Sequence, residues 1–172
     1  CAGYLNFSET IKILRVRGDA MQNSVPKGEG GMLAVLGLKI EDVEKILRDN
    51  QNNFVAQVAN DNSDGQIVLS GKIKDLQTLS EYLKDNKIKN IKLPVSAPFH
   101  CNLMNKATKV MTDELQKINF KQSTNTLISN VTADEISNIK DLKSLLINQI
   151  EKRVRWRESI LKMINKGVSE FI

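Results

Sequence analysis

The order of strand and helix patterns between residues 32 and 95 restricts the fold of this chain more than any other feature. Six elements are predicted, in the order strand, helix, strand, strand, helix, strand, at residues 32–38, 40–47, 54–59, 66–70, 73–83 and 88–95. Apolar residues three and four apart indicate the helices, and short apolar runs indicate the strands. A turn cluster at 60–65 separates the second strand from the third. This βαββαβ order is that of a ferredoxin-like split unit.

Helices and strands on both sides of this unit predict a larger α/β protein. The first helix is apolar around much of its circumference, which indicates burial on several sides. After the unit, the pattern predicts a helix at 103–118, a strand at 127–131, two helices at 142–150 and 156–164, and a strand at 168–172. Gly167 is expected to end the last helix, and the strand that follows it is expected to be buried. We therefore expect an α/β core formed by 1–30 and 96–172, with 31–95 inserted as a small subdomain.

Composition narrows the class of protein. With 172 residues, 41% of them hydrophobic and 26% charged, the chain is typical of a soluble globular domain. Its longest apolar run, Met32–Leu36, is far shorter than the ~20 residues that cross a membrane. Cys1 and Cys101 form neither a zinc motif nor a disulfide framework, so we expect a cytoplasmic protein without a metal. The net charge of +5 is interpreted as a solvated surface, although it would also attract an acidic protein or nucleic acid.

His100, the only histidine, is the candidate general base. It lies in the segment Leu93–Cys101, which holds two of the three prolines and leads from a predicted strand end into a helix start. Prolines stiffen such a segment, and α/β proteins place reactive groups on rigid loops at strand ends. The alternative is a histidine that only forms a hydrogen bond at the helix start.

Arg17 stands inside the apolar pattern of the first helix, where a guanidinium needs a partner. It could form a buried ion pair, or it could clamp a carboxylate or phosphate through two hydrogen bonds. The pattern does not decide between these two roles.

Other polar residues have ordinary structural explanations. Asn60 and Gln66 flank the predicted turn, where amide side chains commonly stabilise the backbone. The basic run 152–157 is interpreted as a solvated helix start. No Gly-x-Ser-x-Gly elbow is present, so the candidate base lacks a nucleophile within this sequence.

Four motifs, in this order and spacing, resemble one enzyme family. They are Val16-Arg17-Gly18-Asp19-Ala20-Met21-Gln22, the stretch from Val58-Ala59-Asn60 to Gln66-Ile67-Val68-Leu69-Ser70-Gly71, Leu93-Pro94-Val95-Ser96-Ala97-Pro98-Phe99-His100-Cys101-Asn102-Leu103-Met104, and Val154-Arg155-Trp156-Arg157-Glu158-Ser159. Over essentially all 172 residues the chain resembles the malonyl-CoA:acyl-carrier-protein transacylases of bacterial type II fatty acid synthesis.

The resemblance implies a fold, a reaction and a set of site residues. It implies a hydrolase-like α/β core with the ferredoxin-like subdomain, and a serine that takes the malonyl group from malonyl-CoA and passes it to the phosphopantetheine thiol of acyl carrier protein. No further cofactor, nucleic acid or membrane is implied, and a monomer is expected. His100 matches the base and Arg17 the residue that binds the malonyl carboxylate. Met21, Phe99, Asn60 and Gln66 match the substrate site, and backbone carbonyls near Arg155 are expected to orient the histidine.

The chain also departs from the family pattern. The Gly-His-Ser-x-Gly elbow and the upstream donors of the oxyanion hole are absent from this sequence, as is the glycine-rich motif that follows the last strand. We therefore expect a truncated form of such an enzyme, inactive by itself.

Three alternatives remain open from the sequence. One is a discrete polyketide loading enzyme using malonyl or methylmalonyl units, although the bulky Phe99 beside His100 favours malonyl. Another is a non-catalytic ferredoxin-like binding module, for example for RNA, whose strands would need exposed aromatic residues. The third is a folded remnant with no activity.

Overall fold

The computed structural model describes residues 2–172 and shows a mixed α/β protein, which confirms the predicted class. Cys1 lies outside the described residues, together with the expectation that it binds no zinc and forms no disulfide. Cys101 is buried, and its thiol donates to the Pro98 carbonyl at 3.1 Å. Within residues 2–172, no helix combines the length and the apolar character needed to cross a membrane.

A four-stranded antiparallel sheet occupies the region where the βαββαβ pattern is predicted. Its strands lie in the order β2-β3-β1-β4, with β3 and β1 inside. The four strands are β1 (Gly30–Leu36), β2 (Ala56–Ser63), β3 (Gln66–Lys72) and β4 (Asn90–Lys92). Helices α2 (Ile40–Asp49) and α3 (Ile73–Asp85) follow β1 and β3. Both pack on one face of the sheet, where the larger apolar cluster includes Leu33, Ile67 and Leu79.

Two strand predictions differ from the structure. The predicted turn at 60–65 is wrong over its first four residues, because β2 continues to Ser63 and pairs with β3 through two irregularities in register. These bulges let the strand bend while its pairing continues. The predicted strand 88–95 is reduced to the three residues of β4, which pair only with β1.

Within residues 2–172 four helices lie outside the sheet, and all but the last contribute to a second apolar cluster, here called the helical cluster. They are α1 (Phe7–Gln22), α4 (Asn105–Gln116), α5 (Ile139–Asn148) and α6 (Trp156–Asn165). A 3-10 turn (Asn102–Met104) precedes α4, and a two-stranded ribbon, β5 (Ile128–Ser129) and β6 (Asp134–Glu135), lies between α4 and α5. The cluster is built on residues from α1, α4 and the loop after α5, including Met21, Met111 and Ile150.

The prediction that α1 is buried on several sides is wrong. Phe7, Ile11 and Leu14 are all more than half exposed, and Met21 is the one residue of the helix that is buried. The helix packs against α4 along one side, so its remaining apolar residues face solvent. The side chain of Asn6 caps its first turn by accepting a hydrogen bond from the amide of Glu9 at 2.8 Å.

The end of α6 matches the prediction, but the segment after it does not. Gly167 adopts φ +89°, its amide donates to the Ile164 carbonyl at 2.9 Å, and the amide of Val168 donates to the Met163 carbonyl at 3.1 Å. These two bonds form a Schellman motif, which favours glycine. Residues 168–172 are exposed and belong to no strand, so the predicted buried strand is wrong. A strand needs a neighbour to satisfy its backbone, and none of the described strands pairs with this segment.

Candidate active site

His100 is held in an unusual backbone conformation between the sheet and the helical cluster. Its φ of +57° lies in the left-handed region, which few residues other than glycine adopt. On one side, the hydroxyl of Ser70 in β3 donates to the Phe99 carbonyl at 2.6 Å. On the other, the amide of Asn102 donates to Oε1 of Gln57 in β2 at 2.7 Å. The sheet therefore fixes the residues on both sides of His100.

A hydrogen bond to the backbone orients the imidazole ring. Nδ1 of His100 lies 2.7 Å from the carbonyl oxygen of Gln149, which directly follows α5. Because a carbonyl oxygen can only accept, Nδ1 carries the proton of this bond. In the neutral ring Nε2 then has a free lone pair, which is the arrangement a general base requires.

The surroundings of His100 lower its pKa. Burial is the largest cause, because it disfavours the charged ring, and the nearby positive charge of Arg17 acts in the same direction. The hydrogen bond to Gln149 opposes both by stabilising the cation. The net result is an imidazole that remains neutral to lower pH than an exposed one.

Arg17 approaches His100 with its guanidinium unpaired. Burial lowers the pKa of Arg17, and within residues 2–172 the guanidinium has no hydrogen-bonding or ion-pair partner. Arg15, two residues earlier in α1, is different. Its side chain is 80% exposed and pairs with Asp19 at 2.9 Å. The structure therefore leaves Arg17 free to bind an anion near the candidate base.

A cleft of about 400 Å³ opens beside His100. Gln57, Val58 and Asn102 line it, together with the charged residues Glu44, Arg48, Glu151, Lys152 and Arg153. Arg153 is neutralised by Glu44 at 2.8 Å, and Glu151 accepts a hydrogen bond from Thr108. Arg48 and Lys152 have no ion-pair partner in the described part of the chain. They make the mouth of the cleft attractive to an anionic group.

The other predicted site residues are placed differently. Gln66 is the first residue of β3, four residues before Ser70, and its place in the substrate site stays a prediction. Asn60 lies in β2, where it forms a parallel bridge with Val154. Met21 belongs to the helical cluster and is 3% exposed. Phe99 packs between this cluster and a small apolar cluster on the sheet.

The expectation that the backbone near Arg155 orients the base is wrong. The carbonyl of Gln149 does so, whereas the carbonyl of Arg155 accepts the amide and the hydroxyl of Ser159, at 3.0 and 2.8 Å. Arg155 precedes the first residue of α6, and its carbonyl is used in the first turn of that helix. It therefore has no role at the imidazole.

The basic run is also more than a solvated helix start. Arg153, Arg155 and Arg157 each pair with a carboxylate, and the side chains of Arg153 and Arg157 are only 23% exposed. Arg153 and Arg157 connect the start of α6 with α2 and β2, whereas Arg155 pairs locally with Glu158. The interpretation failed because two of the acidic partners, Glu44 and Asp61, lie 109 and 96 positions from their arginines in sequence.

No pattern in the sequence points to several of the residues that hold the base. Gln149 acts through a backbone carbonyl, which has no side-chain signature, and Ser70 and Gln57 are ordinary polar residues within strands. Among the described residues, no group of three or more histidine, cysteine, aspartate or glutamate side chains could hold a metal ion.

Comparison with known proteins shows which enzymes the chain is similar to. No family model matches the sequence. The malonyl CoA-acyl carrier protein transacylase of Bacillus subtilis (strain 168) is 39% identical over 99% of this chain, and that of Escherichia coli (strain K12) is 32% identical over 98%. In each case the alignment covers 55% of the relative, so the chain spans about half the length of the curated relatives it matches.

Solved structures agree with these relatives. The malonyl CoA-acyl carrier protein transacylase of Clostridium perfringens ATCC 13124 superposes on 97% of the chain with a TM-score of 0.92 and 38% identity, which covers 53% of that protein. The acyl-carrier-protein-S-malonyltransferase of Bartonella henselae has a TM-score of 0.91 and 40% identity over 97% of this chain and 54% of its own. Over nearly its whole length the chain is thus similar to about half of a malonyl CoA-acyl carrier protein transacylase, which confirms the resemblance expected from its motifs.

Proposed function

We propose that this chain provides the general base and the malonyl-binding arginine of an acyltransferase that moves malonyl from malonyl-CoA to the phosphopantetheine thiol of acyl carrier protein. The observation that carries the proposal is the hydrogen bond from Nδ1 of His100 to the Gln149 carbonyl, with Arg17 unpaired nearby. A neutral base and a free guanidinium are the two groups that malonyl transfer to a serine requires.

His100 acts as the base and then as the acid. Nε2 accepts the hydroxyl proton as a serine oxygen attacks the thioester carbonyl, and Gln149 stabilises the imidazolium through Nδ1–H. The imidazolium then protonates the departing CoA sulfur as the tetrahedral intermediate collapses to the malonyl ester. The same steps in reverse, with the carrier thiol as nucleophile, transfer malonyl and return the proton to serine. The serine belongs to the Gly-His-Ser-x-Gly motif of the family, which this sequence does not contain.

Arg17 binds the carboxylate that distinguishes malonyl from acetyl. A planar guanidinium forms two parallel charge-assisted hydrogen bonds to a carboxylate. Because burial already makes the unpaired cation of Arg17 less stable, an anionic partner relieves the cost of desolvation. The substrate site around it is proposed to be completed by Met21, Phe99, Asn60 and Gln66.

The finer architecture is part of the proposal. Residues 31–95 form a ferredoxin-like subdomain, and 1–30 with 96–172 belong to a hydrolase-like α/β core. The all-antiparallel order β2-β3-β1-β4 supports the subdomain, since it is the arrangement a βαββαβ unit adopts. The separate apolar cluster around α1 and α4 supports the second body.

The partner is an acidic acyl carrier protein, and the setting is the cytoplasm. The net charge of +5 supports this partner, as do the unpaired cations Arg48 and Lys152 at the cleft. Malonyl-CoA and the phosphopantetheine arm are substrates, so the reaction needs no resident cofactor. The enzyme works as a monomer.

A chimera tests the proposal. In it, this chain replaces the aligned part of the Bacillus subtilis relative, and transfer of labelled malonyl to a carrier protein is measured. We expect transfer by the chimera and none by the 172-residue chain alone, because the chain has no serine elbow. His100→Ala should lower the rate of acylation of the chimera by about 10²–10⁴-fold, whereas Lys121→Ala, a surface change, should leave it unchanged. Acylation at a near-normal rate in His100→Ala would remove His100 from the role of base.

A polyketide carrier is the second candidate partner. A malonyl-transacylase solved in complex with its type II PKS acyl carrier protein matches 98% of this chain and 55% of its own, with a TM-score of 0.91 and 28% identity. Offering the chimera both kinds of carrier protein distinguishes the two pathways by the ratio of kcat/KM. The RNA-binding alternative is weakened because none of the strands within residues 2–172 contains an aromatic residue and Phe54, just before β2, is 3% exposed.

A further inference from the structure

A fully buried carboxylate lies in β2, on the side of the sheet that faces α6. Asp61 has no exposed side-chain surface, and Arg157 in the first turn of α6 meets it with two nitrogens. Nε lies 3.1 Å from Oδ1 and Nη2 lies 2.9 Å from Oδ2. This two-point contact fixes the direction of approach as well as the distance between the two elements.

The backbone beside this ion pair joins β2 to the segment that leads into α6. The amide of Val154 donates to the Ala59 carbonyl at 2.8 Å, and the amide of Asp61 donates to the Val154 carbonyl at 2.9 Å. The bridge is short and stands outside the regular ladders of the sheet. Asp61 therefore takes part in the connection through both its backbone and its carboxylate.

The connecting segment 149–155 begins at the residue that orients the base. Gln149 accepts the hydrogen bond from His100 at one end, while Val154 is attached to β2 at the other. His100 is attached to the same hairpin through Gln57 in β2 and Ser70 in β3. The relative position of the imidazole and the Gln149 carbonyl thus depends on how 149–155 is attached to β2.

We propose that Asp61 and Arg157 are positioning residues, whose ion pair fixes segment 149–155 on β2 and so holds the Gln149 carbonyl against Nδ1 of His100. A buried ion pair adds little net stability, because desolvation of both charges offsets their attraction, but it specifies geometry. The effect on acyl transfer rests on the proposed function of His100. The effect on the hydrogen bond does not.

The single histidine of the chain makes a direct test possible. In the ¹⁵N-labelled chain, long-range ¹H–¹⁵N spectra of the one imidazole report its tautomer and its pKa without any assay of activity. In Asp61→Asn we expect the ratio of Nδ1–H to Nε2–H tautomer to fall about threefold, the effect of weakening one modest hydrogen bond. The pKa of His100 should also fall, because the bond to Gln149 raises it.

Two further variants complete the experiment. Arg157→Lys keeps a cation beside Asp61 but removes the two-point contact, so it should fold and shift the tautomer ratio in the same direction. Asp134→Asn is the matched control, because it removes the pair that Lys162 of the same helix makes with the ribbon at 3.0 Å. It should leave the imidazole unchanged.

The outcomes separate the two proposals. An unchanged tautomer ratio and pKa in folded Arg157→Lys would overturn the positioning role, and so would an equal shift in Asp134→Asn, which would indicate general loosening of α6. A shift in Arg157→Lys together with normal acylation by His100→Ala in the chimera would leave the positioning role intact and contradict the proposed function instead.

Discussion

The hydroxyl of Ser70 and the carbonyl of Phe99 are joined by a 2.6 Å hydrogen bond that attaches the residue before His100 to an interior strand. Ser70 is fully buried in β3, between Met32 of β1 and Gln57 of β2. The centre of the sheet therefore determines the position of the candidate base, even though this residue lies on a loop.

Removing this hydroxyl should loosen the loop of His100. Ser70→Ala removes the donor of this partly buried hydrogen bond, which costs about 0.5–1.5 kcal/mol of the free energy of unfolding. We expect lower stability in urea denaturation and slower acylation in the chimera. Ser80→Ala is the matched control, because it removes a hydrogen bond of the same length, to Asn90, at the junction of α3 and β4. If both variants lowered acylation equally, the effect would reflect stability alone.

Gly30 should be intolerant of any side chain, because β1 passes directly beneath the loop of His100. A Cβ on Gly30 would overlap the ring of Pro98, two residues before the base. Such overpacking costs roughly 1–3 kcal/mol, so Gly30→Ala should lower the midpoint of urea denaturation. Gly18→Ala in α1 is the control: a Cβ there meets no atom within 4 Å, and alanine favours the helix by about 1 kcal/mol. A Gly30→Ala variant as stable as the parent would show that the loop is free to move.

The sequence predicts the parts of this fold that depend on local periodicity. The starts of α2 and α3 and the C-terminal glycine of α6 follow from apolar spacing and from backbone conformation, and the structure agrees with each. The predictions failed where the presence of a pairing partner decides whether a strand forms. β2 continues through the predicted turn because it pairs with β3, whereas no described strand pairs with 168–172.

The residues of the candidate site likewise include some that the sequence predicts and some that it does not. His100 stands out as a lone histidine in a proline-stiffened loop, and Arg17 as a charge within an apolar pattern. Gln149 and Asp61 could not be predicted, because one acts through its backbone and the other through an arginine 96 positions away. Side-chain chemistry is therefore visible in the sequence, whereas the geometry that orients it is not.

The free energy of unfolding should depend on pH through His100. The pKa of the folded state is lowered by burial, whereas the unfolded chain titrates near its ordinary value of about 6.5. Below that value the unfolded state binds the proton more readily, so stability falls as the pH is lowered towards the folded pKa and then levels off. Above pH 7 this contribution is fully present.

His100→Asn should remove this pH dependence. Asparagine tolerates the positive φ and has no titratable group, and the chain contains no other histidine. Urea denaturation between pH 5 and 7.5 measures the slope in the parent and the variant. An equal slope in both would place the titrating group elsewhere.

Phe99 should restrict the space beside the α-carbon of the acyl group. Its ring packs against both the helical cluster and the sheet, one position before the base. We expect Phe99→Ser in the chimera to raise methylmalonyl transfer relative to malonyl, as a bias of about 1–3 kcal/mol and not a complete switch. The measurement is the ratio of kcat/KM for the two CoA esters. An unchanged ratio would show that Phe99 serves the core alone.

Arg17 should select malonyl over acetyl, because only malonyl carries a free carboxylate. Its guanidinium is unpaired among residues 2–172 and close enough to His100 to lower the pKa of the imidazole. A hydrogen bond to a charged group contributes about 1.5–3 kcal/mol, so Arg17→Ala should lower kcat/KM for malonyl-CoA in the chimera by roughly 10- to 100-fold. Transfer from acetyl-CoA should stay equal or rise, since the unpaired cation no longer has to be desolvated.

Two variants on the same helix decide whether this preference comes from the fork of Arg17 or from charge in general. Arg17→Lys should recover little malonyl transfer, because a point charge cannot form two parallel bonds to one carboxylate. Arg15→Ala should change neither transfer, because Arg15 is 80% exposed and engaged with Asp19. The measurement is the malonyl-to-acetyl ratio of kcat/KM in each variant, with urea denaturation to exclude unfolding. Equal loss of both transfers in a stable Arg17→Ala variant would make Arg17 a structural residue, and full recovery in Arg17→Lys would reduce its role to nonspecific attraction of anions.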